Sequence, residues 1–132
     1  MSRLDTGTRL LAAAAAALAS VAAALAAVGA HALASRFTPA ELASFNTAVA
    51  FQFFNATGLF AVAWLRDRMP RSALVRASGW LLLGGVVLFC GSVYAARFGL
   101  TASAGPAAPV GGTAVILAWG GIVAALLRRP RD

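Results

Sequence analysis

Apolar residues fill four long stretches of the chain, and charged residues gather in the short segments between them. The first stretch carries no charged side chain between Arg9 and His31. At about 1.5 Å of rise per residue, each stretch is long enough for a helix that crosses a hydrocarbon layer of about 30 Å. The pattern predicts four transmembrane helices, over about residues 10–34, 40–65, 73–97 and 108–127.

Short connections join these stretches, over residues 35–40, 67–72 and 98–107. Such links make successive helices antiparallel neighbours. In the first link, Thr38 precedes Pro39 and stands three residues before Glu41, which is the pattern of a capping box with proline at the first helical position. We therefore expect a single domain over residues 1–132, an all-α antiparallel bundle of four transmembrane helices.

Composition supports a membrane location. Of the 132 residues, 61% are hydrophobic and only 11% are charged, whereas about a quarter of the residues of a soluble domain are charged. All 11 basic residues are arginines, and they lie at the ends of the apolar stretches. This placement favours anchoring at anionic lipid headgroups over nucleic-acid binding. We expect contact with membrane lipids and no nucleic-acid partner.

The arginines also predict an orientation. Arg36 and Arg97 belong to one side of the predicted bundle, and the other nine of the 11 arginines belong to the other side. Cytoplasmic loops are the ones enriched in basic residues. The pattern predicts a multi-pass protein of the bacterial inner membrane with both termini in the cytoplasm.

The N-terminal region has features of a secretory signal. Arg3 and Arg9 precede an alanine-rich stretch that ends in Ala30-His31-Ala32 or Ala32-Leu33-Ala34, either of which has the form of a cleavage site. The apolar run, however, is longer than the usual signal core of about 7–15 residues. We therefore expect the first helix to be retained.

Four short motifs occur in order along the chain. They are Gly-Ala-His-Ala-Leu at residues 29–33, Phe-Gln-Phe-Phe-Asn-Ala at 51–56, Gly-Ser-Val-Tyr at 91–94 and Ala-Pro-Val-Gly-Gly at 108–112. Together they resemble the YgdD-like family of small bacterial inner-membrane proteins. That resemblance implies four membrane helices and no established reaction. Because Phe51 and Asn55 replace a tyrosine and a histidine of the family pattern, a role for a protonatable imidazole is not expected at Asn55.

Polar residues inside the apolar stretches are the candidates for function, because polar groups in lipid need partners. Gln52 and Asn55 share a helix face and lie roughly 16 and 21 Å below the outer end of their helix by helical rise. The candidate polar cluster, expected in the outer half of the bundle, comprises His31, Gln52, Asn55, Ser92, Tyr94 and Trp119. It is either a set of interhelical hydrogen bonds or an outward-facing pocket for a lipid, quinone or apolar metabolite.

Close helix packing is the expected source of stability, since lipid gives no hydrophobic drive for association. The alanine-rich first helix allows close backbone approach, and four further glycines are expected to do the same: Gly84, Gly85, Gly120 and Gly121. Four phenylalanines of the second helix are expected to face lipid or to pack: Phe51, Phe53, Phe54 and Phe60. Cys90 is interpreted as a small buried filler.

Residue types that are absent or rare in the sequence limit the functions it can have. Apart from Glu41 at the very start of the second stretch, no Asp or Glu lies inside an apolar stretch, which weighs against a proton- or cation-coupled transporter. One His and one Cys cannot supply a structural zinc site or a bis-histidine haem. We expect no enzyme activity, no metal and no cofactor. Two hypotheses remain foremost: a structural or accessory protein that packs with another membrane protein or with itself, and a binder of lipid, quinone or another small apolar molecule.

Overall fold

The computed structural model describes residues 4–128. Its long helices are α1 (Thr6–Val28), α2 (Pro39–Arg68), α3 (Ala73–Arg97) and α4 (Ala107–Leu127), and a π-helical segment (Gly29–Leu33) extends α1. All four helices are long and apolar enough to cross a membrane. The predicted fold class is confirmed: the chain is an antiparallel bundle of four transmembrane helices. Three of the arginines used to predict the orientation, Arg3, Arg129 and Arg131, lie outside the described residues.

The helix starts are set by local side-chain caps. Thr38 and Glu41 form the predicted capping box, in which the Thr38 N–H donates to Glu41 Oε2 over 2.9 Å and the Glu41 N–H donates to Thr38 Oγ1 over 3.3 Å. Asp5 accepts from the backbone N–H groups of Gly7 and Thr8 and so caps α1. Such caps satisfy N–H groups that have no partner within the helix.

Each helix packs chiefly on the next one along the chain: α1 on α2, α2 on α3, and α3 on α4. The main core lies between these helices and is built around fully buried Leu11, Leu59, Val62 and Leu82. A smaller cluster around Phe45 fills the end of the bundle at which α2 begins. We call this the Thr38 end, and the opposite end, where α1 begins, the Asp5 end.

Glycines bring α3 and α4 together at one point. A Cβ atom on Gly111 would lie 2.5 Å from the backbone N of Phe89, and one on Gly85 would lie 2.9 Å from the carbonyl O of Gly111. Real Cβ atoms do not approach backbone this closely, so neither position accepts a side chain without moving a helix. The two glycines thus allow direct backbone contact between helices.

Two of the glycines that the sequence analysis assigned to packing do not take part in it. A Cβ atom on Gly84 or on Gly120 would meet nothing within 4 Å, whereas one on Gly121 would clash with the Ser78 side chain. The expectation was therefore wrong for Gly84 and Gly120. The reason is geometric, because adjacent helical residues point about 100° apart and only one of each pair faces the neighbouring helix.

Within residues 4–128, one ion pair ties the helices together at each end of the bundle. At the Asp5 end, Arg66 Nη2 lies 3.2 Å from Asp5 Oδ1 and joins α2 to the start of α1. At the Thr38 end, Arg97 Nη1 lies 3.8 Å from Glu41 Oε1 and joins α3 to α2. Both pairs lie where the helices leave the apolar region, so they connect helix ends without placing a charge in the middle of the bundle.

Candidate functional site

Gln52 joins three helices through one amide group. It lies in the middle of α2 and is 2% exposed. Its Nε2 donates to the carbonyl oxygen of Leu18 in α1 over 2.8 Å. Its Oε1 accepts a hydrogen bond of 2.7 Å from the Tyr94 hydroxyl in α3. Gln52 therefore fixes the positions of α1 and α3 relative to α2.

Asn55 makes the corresponding connection to α4. It lies one helical turn after Gln52 and is 8% exposed. Its Oδ1 accepts a hydrogen bond of 3.0 Å from the Trp119 indole N–H. Its Nδ2 donates to the carbonyl oxygen of Phe51 in its own helix over 2.9 Å. Because Asn55 and Gln52 share a face, α2 presents both amides to its neighbours.

Gly58 makes room for the Trp119 ring. A Cβ atom at this position would lie 2.5 Å from Trp119 Cζ2. The sequence analysis did not single out this glycine. A signal for it was present, since Gly58 follows Asn55 by three residues and so lies on the same helix face.

Four residues, Gln52, Asn55, Tyr94 and Trp119, thus form a polar network that touches all four helices. Within the part of the chain that the structure describes, the fully buried side-chain nitrogen and oxygen atoms without a partner belong to Arg66 alone. The network is therefore satisfied internally, as buried polar groups in a bundle must be. Each polar side-chain atom of the four residues has a hydrogen-bond partner within the bundle.

The other two members of the predicted cluster lie elsewhere. His31 is exposed in the π-helical segment at the Thr38 end. Ser92 donates to the carbonyl oxygen of Phe89 in its own helix over 2.8 Å. Ser92 and Tyr94 are two residues apart, which places them about 200° apart around α3, so that only one of them can face α2.

Aromatic and sulfur groups surround the Tyr94 side of the network. The Tyr94 ring packs against the Phe45 ring with their centroids 5.7 Å apart. Cys90 lies one turn away, is 3% exposed and contacts the carbonyl oxygen of Ala48 with its sulfur at 3.4 Å. These contacts fit the interpretation of Cys90 as a buried filler.

Two cavities lie on the outside of the bundle. The first is a groove of about 510 Å³ between α1 and α2, and we call it the α1–α2 groove. The second, of about 560 Å³, lies beside α3 and the loop that follows it. None of the four network residues lines either cavity, and Ser92 borders the second. The surfaces of both are predominantly apolar.

At the Asp5 end, Arg66 is largely buried, with a side-chain exposure of 12%. Its Nη2 reaches Asp5, while its Nε and Nη1 have no hydrogen-bond partner. The Thr8 hydroxyl, which donates to Asp5 over 2.6 Å, and the Arg66 guanidinium hold the pKa of Asp5 well below its usual range. Residues 4–128 contain no group of three or more His, Cys, Asp or Glu residues placed to hold a metal ion.

The sequence of this chain is similar to those of known proteins. The profile of DUF423, a family described as protein of unknown function, matches residues 25–112. The chain belongs to the DUF423 family. The matched region contains Gln52, Asn55 and Tyr94 and ends before Trp119. Three of the four network residues therefore lie in the part of the chain that carries the family resemblance.

Curated relatives are named as membrane proteins. The chain is 36% identical over 100 residues to the UPF0382 membrane protein YwdK of Bacillus subtilis, covering 76% of this chain and 81% of the relative. It is 32% identical over 90 residues to a UPF0382 membrane protein of Haemophilus influenzae, covering 68% and 71%. No solved structure matches the chain. This DUF423 protein is therefore an integral membrane protein from a family without an assigned activity.

Proposed function

We propose that this DUF423 protein is a structural or accessory protein of the bacterial inner membrane that packs against other membrane-spanning proteins and has no enzymatic activity. The observation that carries this proposal is the closed polar network. Gln52 and Asn55 bond to α1, α3 and α4 and line neither described cavity. The amides therefore hold the bundle together, and contact with other molecules is left to its outer surface.

That outer surface is extensive and apolar. Of the four helices, α1 and α4 bury the smallest fractions of their apolar segments inside the bundle. Large side chains stand exposed on several helices, among them Phe54, which is 79% exposed, and Ile116, which is 72% exposed. Such faces suit lateral contact with lipid and with other transmembrane helices.

The proposal includes one domain with both termini in the cytoplasm and a first helix that stays attached. Leu33, near the end of that helix, is buried against the Phe45 cluster, so its removal would open the Thr38 end. The described arginines of the Asp5 end, among them Arg9, Arg66 and Arg71, outnumber Arg36 and Arg97 of the Thr38 end. This bias supports a cytoplasmic Asp5 end.

We also identify this family with the YgdD-like proteins, on the strength of the ordered motifs. The DUF423 match over residues 25–112 encloses all four of them, from Gly29 to Gly112. A common family accounts for the same sequence features in the same order.

A second candidate function is the binding of a lipid, quinone or other apolar molecule. The α1–α2 groove favours it, because its volume of about 510 Å³ falls within the range of about 300–1,000 Å³ that is usual for small-molecule sites. The candidate site is then this apolar groove and not a pocket lined by the polar network. A tail-like molecule would fit its walls, which are mostly alanine and phenylalanine.

Native mass spectrometry of the protein released from membranes in mild detergent tests the proposal. A stoichiometric second protein chain is the expected result. A stoichiometric lipid or quinone on a lone chain, lost when Ala26→Leu fills the α1–α2 groove, would replace the proposal with the second function. Ala124→Leu, at an exposed position of α4, is the matched control for the added side-chain volume.

A further inference from the structure

The lipid-facing side of α2 carries a regular series of exposed side chains. We call this series the α2 seam, and it consists of Asn46, Ala50, Phe53, Thr57, Phe60 and Trp64. Successive members are alternately four and three residues apart. This is the spacing by which one helix packs lengthwise against another. All six side chains are exposed, and Asn46, Ala50 and Phe53 also border the α1–α2 groove.

Asn46 is the polar member of the seam whose side chain makes no hydrogen bond within the described residues. It differs in this from Thr57, whose hydroxyl donates to the carbonyl oxygen of Phe53 over 2.9 Å. It differs also from the buried amides of the polar network, which are paired. Asn46 is instead exposed, and its Oδ1 faces Gly29, where a Cβ atom would lie 3.3 Å away.

The depth of Asn46 makes an unpaired amide costly. The 30 residues of α2 span about 45 Å, so a hydrocarbon layer of about 30 Å covers roughly the middle 20 of them. Centred on the helix, this layer begins at about residue 44, which places Asn46 inside its edge. A polar group there needs a hydrogen-bond partner, and residues 4–128 supply none.

The surface beside Asn46 is shaped for close approach. Asn46, Ala50 and Phe53 also form one wall of the α1–α2 groove. The opposite wall consists of small residues of α1 and the π-helical segment: Ala22, Ala23, Ala26, Gly29 and Ala30. Small residues let a second helix come near enough for short interhelical hydrogen bonds. The unpaired amide therefore stands at the edge of a groove that a neighbouring protein chain can enter.

We propose that this protein forms a homodimer through the α2 seam, in which the Asn46 amides of two copies bond to each other. Two copies with the same orientation are related by an axis along the membrane normal, which puts equivalent residues at equal depth. An amide both donates and accepts, so Asn46 is complementary to itself. The inference rests on the proposed function, and it names a second copy as the partner.

Disulfide crosslinking in membrane vesicles tests the contact. In a Cys90→Ala background, Ala50→Cys keeps Asn46 and places a thiol on the seam. An oxidant should then convert most of the protein into covalent homodimer. Thr113→Cys, at an exposed position of α4, is the matched control and should stay monomeric. Equal crosslinking at both positions, or none at Ala50→Cys, would overturn the dimer.

Energy transfer between labelled copies, diluted stepwise into phosphatidylethanolamine–phosphatidylglycerol vesicles, tests the role of Asn46. Asn46→Leu should raise the dimer dissociation constant about 3- to 20-fold, the range expected for loss of one interhelical hydrogen bond. Asn46→Gln keeps an amide and should restore most of the affinity, while Thr113→Leu should leave it unchanged. A dissociation constant that Asn46→Leu does not alter would refute the proposed pairing.

Crosslinking and native mass spectrometry together distinguish an error in the dimer proposal from an error in the proposed function. If Ala50→Cys forms no homodimer but native mass spectrometry finds a stoichiometric different protein, the dimer is refuted and the accessory function stands. If a lone chain carries only a stoichiometric lipid, both are refuted. A dimer with no bound lipid supports both.

Discussion

Gln52 lies among apolar side chains, where an amide has no water to bond with. Its two hydrogen bonds, to the Leu18 carbonyl and from the Tyr94 hydroxyl, replace those that water would make. Interhelical hydrogen bonds of this kind stabilise membrane proteins modestly, by roughly 0.6 kcal/mol on average, because separated helices also find partners. The effect of Gln52 on stability should therefore be measurable and moderate.

Gln52→Leu should lower the free energy of unfolding by about 1 kcal/mol, since two hydrogen bonds of roughly 0.6 kcal/mol are lost. Denaturant unfolding in detergent micelles, followed by circular dichroism, measures the change. Thr113→Val is the matched control, because the exposed Thr113 hydroxyl bonds only within its own helix, to the carbonyl oxygen of Pro109. It should change stability by less than half as much. Equal losses for the two variants would contradict a bridging role for Gln52.

Tyr94→Phe isolates the bond between the two side chains. It should destabilise the wild-type protein but have little effect in a Gln52→Leu background, where the acceptor is already gone. The coupling in this double-mutant cycle should be about 0.5–1 kcal/mol. Purely additive losses would show that the hydroxyl and the amide act independently.

At the scale of the helix, the backbones of α3 and α4 come into direct contact at Gly85 and Gly111. Gly111→Ala should destabilise the protein by about 1–3 kcal/mol, the usual cost of forcing extra volume into a packed site. Gly120→Ala is the matched control, because its added methyl group meets nothing within 4 Å. We expect a change within about 0.5 kcal/mol for the control. The same unfolding assay measures both variants. Equal losses of unfolding free energy would show that Gly111 is not a site of close contact between α3 and α4.

The start of α1 is held by a charged contact at the Asp5 end of the bundle, between Asp5 and Arg66. Thr8 and Arg66 lower the pKa of Asp5 below its ordinary value of 3.8, so the carboxylate stabilises the folded state. A lowered pKa means that this stabilisation is present above the ordinary value and is lost as the pH falls through the folded-state value. The stabilisation by Asp5 should therefore be lost in acid and should not change as the pH rises above neutrality.

Asp5→Asn should accordingly lower the unfolding temperature by a constant amount between pH 5 and pH 7, and the difference from wild type should shrink below about pH 4. Thermal unfolding at a series of pH values measures it. Asp67→Asn is the matched control, because the Asp67 carboxylate makes no hydrogen bond or ion pair within residues 4–128. A difference between Asp5→Asn and wild type that grows in acid would contradict the assignment.

For the whole molecule, the serial packing of the helices leaves α1 and α4 with broad faces toward lipid. Two kinds of contact hold the series in place: the polar network in the middle of the bundle and the ion pairs at its ends. The outer surface is then free for lateral contacts. Among the described residues, the α2 seam carries the exposed, unpaired amide on which the proposed homodimer contact rests.

The orientation of the bundle is open to a direct test. With Cys90 replaced by alanine, Ser103→Cys in the link between α3 and α4 should react with a membrane-impermeant thiol reagent in intact cells. Ser72→Cys in the link between α2 and α3 should react only after the cells are opened, because its neighbours Arg71 and Arg76 favour the cytoplasm. Labelling of Ser72→Cys in intact cells would show that the protein has the opposite orientation in the membrane.

Local sequence determines much of this protein. The four helices follow from the length of the apolar stretches, since a chain segment that crosses lipid must satisfy its backbone hydrogen bonds internally, and an α-helix does so. The capping box at Thr38 and Glu41 follows equally, because its two hydrogen bonds join residues three apart. The inward placement of Gln52 and Asn55 was expected from the cost of exposing an amide to lipid.

Only the tertiary structure decides which helix face meets which neighbour. Gly84 and Gly85 are equivalent in sequence, yet only Gly85 contacts α4, and Asn46 and Gln52 are both amides of one apolar stretch, yet only Gln52 is buried. The rotation of each helix about its axis depends on contacts with residues far away in the chain. Hydrophobic periodicity cannot reveal that rotation here, because the faces toward lipid and toward protein are both apolar.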